Sequence, residues 1–162
     1  MIAYELLLKA ETDEQLAELR GMLVEGGYSS FYRFLDQIKM TIKSFADGEE
    51  DEVFALITRA RQAVPEPGSI SPSWTYIWDK LEQITRNKLH ALQSVPSAVR
   101  DGEWQVLIDN PFVNREVACY PGLNFTDAVY IYAQFRYELE QNEYIRLQKI
   151  VTHLTEFGSP PE

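Results

Sequence analysis

The chain has 162 residues and a formal net charge of -10, from 25 acidic and 15 basic side chains. That balance disfavours a nucleic-acid surface, since phosphates reward clustered Lys and Arg, and it disfavours anionic membranes for the same reason. Hydrophobic residues at 45% and aromatics at 12% supply a packed core and argue against intrinsic disorder.

The charge is uneven. Residues 1 to 52 carry twelve acids and five bases (-7), residues 53 to 108 five and six (+1), and residues 109 to 162 eight and four (-4). A length of 162 residues fits one domain that buries roughly 70% of its unfolded surface. Cys119 is the only cysteine, which excludes an intramolecular disulfide and a multi-thiolate metal site and suits a reducing cytoplasm. Residues 1 to 15 lack a basic secretory n-region, and no run approaches the ~18 apolar residues of a membrane helix. The expected location is the cytoplasm.

Residues 2 to 10 are compatible with a strand or with the first turns of a helix. Thr12 and Gln15 have capping-box spacing, and Leu16, Leu19 and Leu23 form the face of the helix that follows, ending at Gly26-Gly27. Ser29 or Ser30 opens a stronger helix with Phe31, Phe34, Leu35, Ile38, Ile42 and Phe45 at a 3.6-residue repeat, closed by Asp47-Gly48. The acidic run Glu49-Glu50-Asp51-Glu52 starts the next helix, whose inner face is Val53, Leu56, Ile57, Ala60 and Val64. Pro65 to Ser73 reads as a loop between two halves. Ser71-Pro72 caps a helix that reaches about Gln93, with Trp74, Ile77, Trp78, Leu81 and Ile84 inward.

Beyond Pro96 the period changes. Trp104, Val106 and Ile108 alternate with polar positions, Asp109-Asn110-Pro111 signals a turn, and Val113, Val117 and Cys119 suggest the returning strand of a β-hairpin closed by Pro121-Gly122. A helix starts near Phe125 or Thr126 with Ile131, Tyr132, Phe135 and Leu139 inward. A last helix, capped at Asn142, carries Ile145, Leu147, Ile150, Val151 and Leu154 and ends at Gly158 and Pro160-Pro161. The expected fold is mainly α (α+β): a single-domain helical bundle over residues 1–162, with a small β-hairpin or short sheet around residues 103–120 that residues 2 to 9 could join.

The chain lacks a G-x-S-x-G elbow, a phosphate loop, H-E-x-x-H and paired Glu-x-x-His. With only His90 and His153, a histidine-rich metal site is excluded, so neither a metal nor another cofactor is expected. His153 and Glu156 are one helical turn apart and could form a tuned base or a surface pair. His90 reads as a structural histidine and Cys119 as a small buried hydrophobe. Asn124-Phe125-Thr126 has the form of a glycosylation acceptor.

Two features point outward. The carboxylates Asp47, Glu49, Glu50, Asp51 and Glu52 could steer a basic partner, or simply complement a helix start. Tyr130, Gln134, Tyr137 and Tyr144, with Gln141, could form an aromatic line away from the core, or the tyrosines could belong to a helix buried on two faces. Trp74 is a further anchor candidate. The expectation is a non-catalytic acidic domain that binds a basic protein partner, as an immunity or antitoxin-type inhibitor would. The alternatives are a small-molecule hydrolase with a histidine–carboxylate site assembled in three dimensions and, third, a nucleic-acid mimic.

Overall fold

The computed structural model describes residues 3–63, 74–112 and 115–152, together with Leu154 and Gly158. The loop Pro65–Ser73, the expected Ser71-Pro72 cap and the pair His153 and Glu156 lie outside the described residues.

Residues 3 to 9 form a helix, α1 (Ala3–Lys9): Ala3, Leu6, Leu7 and the following Ala10 recur at helical spacing, and all four are buried. The chain then enters α2 (Asp13–Ser44) through a complete capping box. The Gln15 amide N–H donates to Thr12 Oγ1 at 3.1 Å, and Gln15 Oε1 accepts the Thr12 N–H at 3.1 Å. The expected interruption is present within α2 as a kink at Gly27, whose φ of 66° and ψ of -157° suit glycine alone. Gly26 beside it is needed for another reason: a Cβ there would lie 2.3 Å from Ser30 Cβ.

After the turn at residues 45–49 come α3 (Glu50–Ala63) and α4 (Trp74–Ser94). Their apolar stripes close the main core around Trp78, Phe31, Phe34, Ile38, Ile42 and Ile57, each at most 2% exposed. Burying a side chain of this size is worth about 1.5–3 kcal/mol.

A short turn leads to β1 (Glu103–Asn110), which pairs antiparallel with β2 (Arg115–Leu123) as the hairpin pattern predicts. Asn110 Oδ1 accepts the Phe112 N–H at 3.0 Å and tightens the turn. Pro121-Gly122 does not close the hairpin. β2 continues through it to Leu123, and the register shifts between Trp104 and Val106 to accommodate the extra residue. Cys119 is exposed, correcting the expectation of burial: strand alternation places it, opposite Leu107, on the face away from the inward Val106 and Ile108.

Asn124 caps α5 (Phe125–Tyr137), its Oδ1 accepting the Asp127 N–H at 2.8 Å. The expected last helix is instead a strand, β3 (Tyr144–Ile150), paired antiparallel with β1 from Glu103↔Ile150 to Asp109↔Tyr144. Ile145, Leu147 and Ile150 fit a helical offset and, through Ile145 and Leu147, an alternating one. A short apolar run does not choose between them; the vacant edge of β1 does. The sheet order is β2-β1-β3, so the third strand comes from the end of the chain and not from residues 2 to 9.

The result is a mainly α domain of the α+β class, five α-helices and a three-stranded antiparallel sheet among the described residues. α5 joins its parts. Ala133 belongs to the main helical core, while Ala128 meets Trp104 and Val106 in a second core under the sheet.

Candidate functional site

Two clefts share Ser44 and Phe45 at the end of α2; Asp47 lines the first, and Glu49 and Glu52 line the second. The first, of about 410 Å³, separates the end of α2 and the middle of α4 from the start of α5. Lys88 sits here on the inward stripe of α4, 3% exposed. Its Nζ donates to the carbonyls of Ile42 at 2.8 Å, Lys43 at 2.7 Å and Phe45 at 2.8 Å, and lies 3.8 Å from the Phe45 ring centre. The final turn of a helix leaves carbonyls without intrahelical donors, and Lys88 supplies three protons to that end of α2. Burial lowers its pKa from 10.5 to about 8, against the pull of Glu49 and Asp47.

Arg100 does the same at the end of α4. Its Nε donates to Val95 O at 3.0 Å and Nη2 to Leu92 O at 2.7 Å. The rest of the guanidinium grips both carboxylate oxygens of Asp47, at 2.8 and 3.0 Å, and holds that carboxyl below its usual pKa. Arg100 also lies 5.1 Å from the Phe125 ring centre. The remaining cation, Lys43, pairs with Asp127 at 2.9 Å. Lys88 and Arg100 thus satisfy the ends of α2 and α4.

The second cleft, about 560 Å³, runs between α1, the end of α2 and α3. Leu8, Phe45, Val53 and Leu56 form its apolar part, and Glu49 and Glu52 stand on it with Arg59. Leu8 is 53% exposed, large for a leucine beside such a surface.

The acidic run is therefore divided by role. Asp47 is committed to Arg100, and Glu49 Oε1 accepts the Ala46 N–H at 2.6 Å across the turn. Glu50 is half-buried, with Oε2 lacking a hydrogen bond among the described residues. Asp51 and Glu52 are exposed. Glu49 and Glu52 share the second cleft, one turn apart on the helix start.

The expected aromatic residues do not share one helix. Tyr130 is half-buried against the main core, with Lys43 Nζ 6.0 Å from its ring centre, and burial raises its pKa, helped by Asp36. Tyr137 ends α5 beside Tyr76, ring centres 6.2 Å apart, with Lys80 at 6.0 Å. Gln134 is half-buried between them in the sequence of α5. On another side of the helix Ile131 and Tyr132 pack toward the sheet, and Phe135 stacks on Tyr120 at 5.1 Å. Tyr144 belongs to β3, 59% exposed. Trp74 opens α4, and its side chain lies outside the described residues.

Sequence reading passed over Lys88, Arg100 and Leu8. Lys88 had a signal: Leu81, Ile84, Lys88 and Leu92 recur at offsets of three and four, so a cation occupies a core position. His90, read as structural, is an exposed residue of α4 and lines neither cleft. Among the described residues no three His, Cys, Asp or Glu side chains are grouped to hold a metal ion, and no helix is long and apolar enough to cross a membrane. No family model, curated protein or solved structure matches the chain.

Proposed function

We propose that this chain is a non-catalytic protein-binding domain whose groove between α1, the end of α2 and α3 receives a basic segment of a partner protein. An immunity or antitoxin-type inhibitor that masks a basic surface is the form of this function that suits the charge best. The observation that carries the reading is the combination of exposed Leu8 with Glu49 and Glu52 on one concave surface. It lies on the chain's most acidic third, which contributes -7 of the net -10. Carboxylates at such a rim raise the rate of encounter and select a cationic partner, while the apolar part supplies burial. Asp51 extends the same charge to the exposed side of α3; Asp47, held by Arg100, contributes more to the fold.

The test is affinity capture from the cells that make the protein, followed by titration of the captured partner against three forms. Wild type should bind with an affinity that weakens as salt rises. Glu52→Lys should lose about tenfold, mainly through slower association, and Leu8→Asp a similar factor through faster dissociation. Both sites are exposed, so Leu8→Asp should leave the melting temperature nearly unchanged, and Glu52→Lys should lower it by only a few degrees through the charge lost at the start of α3. A captured partner that is acidic, or one indifferent to both substitutions, rejects the proposal.

A further inference from the structure

A three-stranded sheet ends in two strands that each have one edge without a partner strand, and unpaired backbone N–H and C=O groups there are a template for another strand. The two edges of this sheet differ. β2 contains Pro121, a Gly122 with φ of 69° and two register shifts against β1, all of which discourage pairing. β3 has neither proline nor glycine and keeps unbroken register along all seven residues. Among the described elements only β1 pairs with it as a strand, α5 packs on it and Lys149 reaches back to Val99, so no described strand is paired along its outer edge.

The side chains of β3 indicate the occupant. Tyr144–Ile150 holds Arg146 and Lys149 and no carboxylate, in a chain whose net charge is -10. Two copies can approach here without setting acid against acid. Arg146 is paired with Asp109 of its own chain, and Lys149 Nζ is turned to Val99 O at 2.9 Å. Antiparallel pairing about a twofold axis through Leu147 sets Leu147 opposite Leu147, Arg146 opposite Gln148, Ile145 opposite Lys149 and Tyr144 opposite Ile150. No like charges lie directly opposite; the two Arg146 residues are diagonal neighbours, each with its charge already engaged by Asp109 of its own chain, and the exposed Tyr144 ring gains an aliphatic cross-strand neighbour. An axis through Arg146 would oppose two guanidinium groups.

We propose that β3 is a self-association edge, at which two copies join antiparallel into a continuous six-stranded sheet with both α5 helices on one face. The interface is isologous: each contact occurs twice. It is separate from the acidic groove and does not depend on the function proposed for it.

Sedimentation equilibrium of the full chain should show a concentration-dependent dimer. Gln148→Lys places a second cation opposite Arg146 at two symmetric positions and should weaken the dimer about tenfold, whereas Gln148→Glu should tighten it by a similar factor. Melting curves in dilute solution establish that both variants fold. For wild type, hydrogen exchange compared at low and high concentration should gain protection in residues 144–150 and not in β2. A chain that stays monomeric to about millimolar concentration, a dimer that protects another segment, or two variants that shift the equilibrium in the same direction would each overturn the proposal.

Discussion

Lys88→Met is expected to destabilise the fold by about 3 kcal/mol. Three carbonyls at the end of α2, two of the bonds buried and that to Lys43 partly buried, lose their donor, and a buried acceptor left alone costs roughly 1–3 kcal/mol. The total is smaller than the sum because methionine also removes the cost of burying an ammonium group. The measurement is denaturant unfolding at neutral pH, with unchanged slope and a lower midpoint. The pH dependence follows from the lowered pKa. Below about 8 the amine is charged in both folded and unfolded chains, and the fold bears the full cost of burial. Between about 8 and 10.5 the unfolded chain holds a proton that the folded chain has released, so stability rises with pH across that window. The gain has an upper bound of about 3 kcal/mol. In the difference between wild type and Lys88→Met this rise should be present, since methionine does not titrate; a flat difference from pH 8 to 10.5 would refute the assignment.

Arg100→Ala is expected to cost about 2–3 kcal/mol. It removes two donors from the end of α4 and both bonds to Asp47, and exposes one side of the Phe125 ring. The pair with Asp47 is half in solvent and contributes little of this; the α4 carbonyls and the lost packing contribute most. Arg100 stands where the helical core passes to the sheet, with its own carbonyl accepting Trp104 Nε1–H at 2.8 Å. Loss should therefore loosen β1 and the start of α5 before α2 and α3. Hydrogen exchange resolved by segment distinguishes this from a uniform loss. Arg100→Lys should recover only part of the stability, because an ammonium group cannot span Asp47, Val95 and Leu92 together.

Both residues show where sequence reading stopped short. A capping box, a glycine break and repeats of apolar residues are local signals, and Thr12, Gly27 and the stripe from Phe31 to Ile42 could be read without a fold. The hairpin around Trp104 and Val106 was legible for the same reason. The strand at residues 144–150 was not, because its spacing suits two periods and the deciding partner lies some 40 residues earlier in the chain. Cys119 was misplaced because a strand's pattern tells that two faces differ and leaves open which of them a helix will cover. The acidic run was visible as charge, yet nothing local showed that Arg100 holds Asp47 while Glu52 stays exposed on the groove that Leu8 lines.

What the amino-acid order determined alone was the class of domain, most element boundaries and the sign of its surface, since propensity, capping and charge act within a few residues. What only the tertiary structure decided was the third strand, the burial of Lys88 beneath the end of α2 and the meeting of Leu8 with Glu49 and Glu52. Each of these joins segments tens of residues apart, and the free energy that selects them arises only once both segments have been desolvated against each other.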